Sequence, residues 1–143
     1  MTARSDTSRL PSTGSESCPF CAPPAEKVLL ENHRVLALRD AFPVTPGHAL
    51  VVPRRHVAAW RDLTSDEKAA IFDLVDRVRE TLDAQHAPNG YNIGMNDGIA
   101  AGQTVMHVHV HVIPRYAGDD PDPRGGVRRV LPHKAAYWTA REE

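Results

Sequence analysis

The sequence predicts an α+β fold, an antiparallel sheet meander with one main helix packed against it. Three observations predict this fold. A hairpin pattern and a short apolar run come early in the chain, one long amphipathic segment follows, and two more strand patterns come after it. The length of 143 residues fits a single domain, which can bury enough surface to fold without disulfide bonds.

The early strands are bounded by turn-forming residues. Residues 28–39 have the pattern of a hairpin with its turn at 31–33. Residues 42–47 contain two prolines and a glycine, so we expect a loop there. The apolar run over 48–53 stops at a proline, which predicts a short buried strand.

The helix has a start and an end that the sequence indicates. Thr64 and Glu67 have the spacing of a capping box, in which a hydroxyl and a carboxylate satisfy free backbone N–H groups. The helix should end near His86, because Pro88 and two further turn-forming residues come next. Its apolar stripe consists of Ile71, Leu74, Val75, Val78 and Leu82.

Two strands and an irregular arm complete the predicted fold. The strands are expected over 91–96 and 104–114, with a loop rich in glycine and alanine between them. The acidic, proline-containing segment 119–123 then forces an irregular C-terminal arm.

Composition excludes several classes of function. The net charge of −1 gives no field that would attract nucleic acid or an anionic membrane. No apolar run approaches the roughly 20 residues that span a bilayer. Residues 1–17 are polar and lack the apolar core of a secretory signal, which predicts a cytoplasmic protein.

The most informative segment alternates histidine and valine over 107–112. Side chains alternate faces along a strand, so a strand here would present three imidazoles on one face and three valines to the core. The imidazoles could be the polar face of a half-exposed strand, metal ligands or a catalytic row. Histidines two residues apart are separated by about 6.7 Å along a strand, so all three would not easily reach one ion. One or two of them could bind a metal with ligands from elsewhere.

Both cysteines lie in one Cys-Pro-Phe-Cys segment, Cys18 to Cys21. In a reducing compartment a Cys-x-x-Cys pair is more often half of a metal site or a redox pair than a structural disulfide. The residues around the pair do not decide between these roles.

The motif His107-Val108-His109-Val110-His111-Val112-Ile113, preceded by Ala101-Gly102-Gln103-Thr104, resembles the signature of the histidine triad (HIT) superfamily of nucleotide hydrolases and transferases. The fragile-histidine-triad and bacterial HIT branches are the most similar in pattern. The resemblance runs from about Cys18 to Tyr116. It implies a HIT domain over 16–116. Residues 1–15 are rich in serine, threonine and arginine, which predicts a disordered tail, and we expect residues 117–143 to form a C-terminal arm that packs on the domain. The resemblance also implies a homodimer.

The resemblance assigns roles to the residues of the motif. His109 matches the family's nucleophile, which forms a covalent nucleotidyl-histidine, and His111 matches the histidine that contacts the α-phosphate. His107 is the first member of the same catalytic row. Gln103 matches a glutamine that reaches the phosphate and leaving group, and Thr104 matches a hydroxyl donor to a phosphate oxygen.

Three residues outside the motif also match family positions. Asp40 corresponds to an acidic or amide residue that binds the ribose hydroxyls, although an aspartate can equally start a turn. His48 corresponds to a histidine that supports or faces the phosphate, and Asn96 to an asparagine near the phosphate. For both residues, ordinary structural roles at strand ends are the alternative.

The resemblance to zinc-bearing HIT proteins, and to the galactose-1-phosphate uridylyltransferase branch, implies a structural zinc ion. Its ligands would be Cys18, Cys21, His56 and His107, a set that suits a closed tetrahedral site. A pair of buried thiols beside a solvent-facing His56 is the alternative. No organic cofactor is expected.

The implied activity is cleavage of an adenosine-containing phosphoanhydride or phosphoramidate, with release of AMP. Dinucleoside polyphosphates and adenylylated amines belong to this class, and the partner is therefore a small nucleotide. The third histidine, His111, argues against a uridylyltransferase, which carries glutamine there. A regulatory nucleotide-binding module with slow hydrolysis and a metal-dependent hydrolase are the alternatives. Three arginines of the arm, Arg124, Arg128 and Arg129, either reach the leaving group or lie in a solvated arm.

Overall fold

The computed structural model describes residues 17–139, so the predicted tail over 1–15 lies outside the described residues. In this range five strands and one long helix form the domain, with short 3-10 turns between them. No helix among these residues has the length and apolar character needed to cross a membrane. The elements are β1 (Val28–Glu31), β2 (Val35–Arg39), β3 (Ala49–Pro53), α1 (Ser65–His86), β4 (Gly90–Gly94) and β5 (Val110–Arg115).

The five strands form one antiparallel sheet in the order β1-β2-β3-β5-β4. The predicted α+β fold is therefore confirmed. The last strand, β5, lies inside the sheet between β3 and β4, and α1 makes the long connection from β3 to β4. Near the start of β5, His111 is paired with Leu50 on one side and with Gly94 on the other.

Helix α1 begins and ends where the sequence predicts. The Glu67 N–H donates to Thr64 Oγ1 at 3.1 Å, and the Thr64 N–H donates to Glu67 Oε1 at 2.9 Å, so the capping box is formed. The helix ends at His86, and Ala87 adopts a left-handed conformation with φ of 47°. All five residues of the predicted apolar stripe are buried.

The two faces of the sheet have different partners. Helix α1 covers one face, where alternate residues of β2, β3 and β5 form the main core with the apolar stripe. On the other face a smaller apolar cluster contains Leu36, Leu38, Leu50 and Val52, with Phe20 packed against it. Because His111 is paired with Leu50, its side chain lies on this second face.

The predicted strand over 104–114 is too long at its start, since β5 begins at Val110. His107 and His109 therefore precede the strand. The physical reason lies in β3, which ends at Pro53. Proline has no N–H to continue the ladder, and the Pro53 carbonyl accepts a hydrogen bond from His107 Nε2 at 2.7 Å. The Val108 N–H donates to Val57 at 2.7 Å, outside the sheet.

Candidate functional site

A cavity of about 380 Å³ lies on the face of the sheet opposite α1. Residues from four parts of the chain line it: the Cys-Pro-Phe-Cys loop, the end of β2 with the segment after it, β3, and the histidine motif with the residues before it. We call it the histidine cavity. Its lining includes the apolar side chains of Phe20, Leu38, Phe42 and Leu50 and the polar side chains of Asp40, Thr104, His109 and His111.

His109 is held in one tautomer. Its Nδ1 lies 2.8 Å from the carbonyl oxygen of His107. A carbonyl only accepts, so Nδ1 carries the proton, and in the neutral ring Nε2 keeps a free lone pair. The ring is buried and also lines the histidine cavity. In its neutral form this imidazole therefore offers the cavity one nucleophilic nitrogen, Nε2.

The tautomer of His111 follows from a chain of hydrogen bonds. The Val44 N–H donates to His48 Nδ1 at 3.1 Å, so in the neutral ring the proton of His48 lies on Nε2. His48 Nε2 lies 2.9 Å from His111 Nδ1, which therefore accepts. The proton of His111 is consequently on Nε2, where it can be donated to a ligand.

Burial keeps the two hydrogen-bonded imidazoles, His48 and His111, uncharged. Burial lowers the pKa of His48, and the carboxylate of Asp40 only partly opposes that effect. Burial also lowers the pKa of His111 to about 4, with further lowering by His109 and His48. At neutral pH His111 is therefore a neutral hydrogen-bond donor rather than a cation.

Asp40 connects the cavity to the same chain. Its Oδ2 lies 3.3 Å from His48 Nε2, and its Oδ1 accepts the Phe42 N–H at 2.8 Å. A carboxylate has about four acceptor positions, so Asp40 retains capacity toward the cavity that it lines.

Ligand atoms of Asp40, His48 and His111 lie within 4.8 Å of one another, which is close enough for a metal site. Hydrogen bonding accounts for the closeness. The proton on His48 Nε2 faces the two other groups, so these three side chains form a hydrogen-bonded chain in this arrangement.

Gln103 and Asn96, which the resemblance places at or near the phosphate, do not line the histidine cavity. Gln103 is buried, and both polar atoms of its amide bind backbone groups. Its Oε1 accepts the Gly98 N–H at 2.8 Å, and its Nε2 donates to Ala58 at 2.8 Å and to Val105 at 3.1 Å. Asn96 is half-buried, two residues beyond the end of β4. Gln103 thus holds the loop that presents Thr104 to the cavity.

The second group of predicted residues comes together beside the cavity. Ligand atoms of Cys18, Cys21, His56 and His107 all lie within 4.8 Å of one another, and we call this set the Cys/His cluster. Cys21 Sγ lies 3.1 Å from His56 Nδ1. Cys18 Sγ lies 3.4 Å from His107 Nδ1, and the two imidazole Nδ1 atoms are 3.2 Å apart.

The donor set of the Cys/His cluster fits zinc. A tetrahedral ion with bonds of about 2.0–2.3 Å keeps its ligands roughly 3.3–3.8 Å apart, close to the observed spacing. His107 donates its Nε2 proton to Pro53, which leaves the lone pair of Nδ1 directed at the cluster. Burial raises the pKa of the Cys21 thiol to about 11, with Cys18 adding to the rise, and a bound cation would reverse this effect.

The arginines of the C-terminal arm bind within the arm. Arg124 pairs with Asp122 at 2.9 Å and lies over the ring of Trp138. Arg128 lies over Tyr137, and Arg129 pairs with Asp120 at 3.2 Å. None of the three lines the histidine cavity.

Sequence reasoning missed two contributors to the site. Phe20 lines the cavity, and its position between two predicted metal ligands is a signal that could have placed it near His107. The backbone N–H of Val44, which sets the tautomer of His48, carries no signal in the sequence because any residue other than proline supplies it.

Comparison with known proteins agrees with this fold. A family model described as the HIT domain matches residues 24–118, which is more than half of the chain. The chain therefore belongs to the HIT family.

Two curated relatives illustrate its neighbours in sequence. The bis(5'-nucleosyl)-tetraphosphatase [asymmetrical] of Schizosaccharomyces pombe is 39% identical over 97 residues, which are 68% of this chain and 53% of that protein. The AP-4-A phosphorylase of Mycobacterium tuberculosis is 37% identical over 93 residues, 64% of this chain and 48% of that protein. The chain thus spans about half the length of either relative.

Solved structures have the same fold. A zinc-bound histidine triad family protein from Mycobacterium smegmatis superposes with a TM-score of 0.66 at 33% identity, over 91% of this chain and 100% of that chain. The NitFhit protein of Caenorhabditis elegans also gives 0.66, at 34% identity, over 81% of this chain and 27% of that chain.

Proposed function

We propose that the protein is a HIT-type nucleotidyl hydrolase, which cleaves an adenosine-containing phosphoanhydride or phosphoramidate and releases AMP. One observation carries the proposal. The hydrogen bond from His109 Nδ1 to the His107 carbonyl leaves Nε2 as a nucleophile inside a cavity of nucleotide size. The names of the two curated relatives, both of which refer to dinucleoside tetraphosphate chemistry, support this class of substrate.

The first step forms a covalent intermediate. His109 Nε2 attacks the α-phosphorus, the P–N bond forms, and the bond to the leaving group breaks with its electron pair going to that group. The Nδ1 proton stays on the ring, so the ring becomes cationic. The His107 carbonyl, 2.8 Å away, stabilises this charge through the same hydrogen bond.

The second step releases AMP. Water attacks the phosphorus, the P–N bond breaks, and its electron pair returns to Nε2 while the water loses its protons to solvent and product. The cationic ring is a good leaving group, so one difficult displacement becomes two easier ones. Another acceptor in place of water would give nucleotidyl transfer.

The remaining cavity residues bind and orient the substrate. His111 donates its Nε2 proton to a non-bridging oxygen, where negative charge increases during attack. Thr104 donates to a phosphate oxygen, and Asp40 accepts from the ribose hydroxyls. The apolar side chains of Phe20, Leu38, Phe42 and Leu50 enclose the base. Gln103 acts through the loop that it holds.

Cys18, Cys21, His56 and His107 would hold a zinc ion in this proposal. The ion supplies a rigid link between chain segments and takes no part in the chemistry. No organic cofactor is required by these two steps.

The proposal also includes a cytoplasmic homodimer that acts on small nucleotides rather than nucleic acid. The net charge of −1 supports a small ligand. Strand β4 is at the end of the sheet, so one of its edges has no partner strand among residues 17–139, and such an edge suits pairing with a second copy. Light scattering should give twice the chain mass of 15.7 kDa.

The proposed function is tested with a substrate panel of diadenosine polyphosphates, adenosine phosphoramidate and aminoacyl adenylates. Wild type should hydrolyse at least one class with release of AMP, and single-turnover quenching should trap a nucleotide on His109. The variant His109→Ala should lose roughly 10³-fold or more in kcat and still bind AMP. Hydrolysis by His109→Ala at the wild-type rate would contradict the nucleophile assignment. AMP binding by wild type without any turnover would favour a regulatory module instead.

A further inference from the structure

The Cys-Pro-Phe-Cys loop, residues 18–21, contributes to two sites. Its cysteines place their sulfur atoms against His56 and His107 in the Cys/His cluster. Pro19 and Phe20, which lie between the cysteines, line the histidine cavity. The Cys21 N–H donates to the Cys18 carbonyl at 3.3 Å, so one tight turn carries the groups that serve both sites.

Phe20 makes the direct contact with the catalytic side of the cavity. Its ring centroid lies 5.1 Å from that of His109, and it meets the ring of His107 edge-on at 5.9 Å. These are distances at which aromatic rings attract one another. Phe20 also packs against the apolar cluster on that face of the sheet. The position of Phe20 therefore defines one wall of the cavity beside the nucleophile.

The loop has few other attachments within the described part of the chain. The backbone hydrogen bonds that residues 18–24 form there are local, from Cys21 to Cys18 and from Lys27 to Pro24. The attachment to the sheet depends on the sulfur–imidazole contacts and on the packing of Phe20. A loop held in this way loses order when the thiol contacts are lost.

His107 provides a second connection between the sites. Its Nδ1 belongs to the Cys/His cluster, its Nε2 donates to Pro53, and its backbone carbonyl accepts from His109 Nδ1. The residue that orients the nucleophile is thus held by the same group of side chains that holds the loop.

We propose that metal binding at the Cys/His cluster and nucleotide binding in the histidine cavity are thermodynamically linked, with Phe20 as the positioning residue that couples them. This inference rests on the proposed function, since it takes a nucleotide as the ligand of the cavity. Zinc on the cluster fixes the loop before the nucleotide arrives, so less conformational entropy is lost on nucleotide binding. Linkage is reciprocal, so the nucleotide raises the affinity for zinc by the same factor.

Two binding constants measure the linkage. The Kd of AMP is measured by calorimetry for zinc-loaded protein and for protein stripped with a chelator. The Kd of Zn²⁺ is measured by competition with a chromophoric chelator, with and without saturating AMP. Both constants should change by the same factor, at least about fivefold.

Substitutions at Phe20 separate coupling from metal binding. Phe20→Ala keeps all four cluster residues, so it should still bind about one equivalent of zinc. Its coupling factor should fall toward one, and Phe20→Tyr should restore it. Phe72→Ala is the matched control, because Phe72 is an aromatic residue of α1 that is 58% exposed. This control should keep the wild-type coupling factor.

The outcomes distinguish this inference from the proposed function. Equal AMP affinity with and without zinc, and equal zinc affinity with and without AMP, would overturn the linkage while the proposed function stands. Absence of zinc binding would overturn it as well. If neither the zinc-loaded nor the stripped protein binds AMP or hydrolyses the substrate panel, the proposed function is wrong, and the linkage is wrong with it. Should the stripped protein unfold, the effect of AMP on zinc affinity is compared between wild type and Phe20→Ala, and an equal effect overturns the proposal.

Discussion

Three backbone groups set the protonation sites of the imidazoles around the cavity. The Pro53 carbonyl accepts from His107 Nε2, and the His107 carbonyl accepts from His109 Nδ1. The Val44 N–H donates to His48 Nδ1. Backbone groups cannot change their own protonation state, so they fix tautomers more reliably than side chains do. These assignments depend on loop geometry, and for this reason the sequence predicted the identities of the histidines but not their proton positions.

The lowered pKa of His111 predicts a pH dependence of stability. Burial and the neighbours His109 and His48 lower the pKa to about 4, and Asp40 opposes them, whereas the unfolded chain has the ordinary value near 6.5. Between these values the unfolded state binds a proton that the folded state does not, so stability falls as pH falls through this window. Between about pH 7 and about pH 5 the free energy of unfolding should fall in both proteins. The fall should be smaller in His111→Gln than in wild type, by about 1 kcal/mol or more.

Urea unfolding at the two pH values measures this difference. His33→Gln serves as the control, because His33 is exposed and should keep the wild-type pH dependence. An identical loss of stability in wild type and His111→Gln would show that the folded protein protonates His111 normally.

At the scale of elements, the hydrophobic periodicity predicted a longer last strand than β5, which pairs with its neighbours only from Val110 onward. The alternation over 107–112 correctly placed the valines against the helix, since Val108, Val110 and Val112 belong to the main core. It also predicted three imidazoles on one strand face. Because β5 starts only at Val110, His107 lies in the Cys/His cluster and the cavity receives His109 and His111. The sequence predicted that β3 ends at Pro53, but it did not predict that this proline lies beside His107, a residue distant from it in sequence.

The loop before the histidine motif depends on Gln103. Its amide satisfies the Gly98 N–H and the carbonyls of Ala58 and Val105. Gln103→Ala leaves these three partly buried backbone groups without the amide that satisfies their hydrogen bonds. We therefore expect a loss of about 2 kcal/mol in the free energy of unfolding. Gln85→Ala is the matched control on the exposed face of α1 and should stay within about 0.5 kcal/mol of wild type. Equal stability of the two variants in urea unfolding would contradict this role.

At the scale of the whole molecule, the Cys/His cluster joins parts of the chain that are far apart in sequence. Cys18 contacts His107 across 89 positions, and Cys21 contacts His56 across 35. The family resemblance predicted this set of four, and no local pattern would have done so, since His56 is one of 8 histidines in the chain. A ligand that binds only the folded arrangement stabilises it by mass action, so a metal at this position should act on the global unfolding equilibrium.

Metal removal should therefore lower the melting temperature. Wild type and His33→Ala should each bind about one equivalent of zinc, and His56→Ala should bind it far more weakly because one of four ligands is lost. A chelator should lower the Tm of wild type and His33→Ala by at least about 5 °C and leave the Tm of His56→Ala nearly unchanged. Calorimetry of the three proteins with zinc and with chelator measures this. An equal response of His33→Ala and His56→Ala to the chelator would show that the ion binds elsewhere, because only the second substitution removes a member of the cluster.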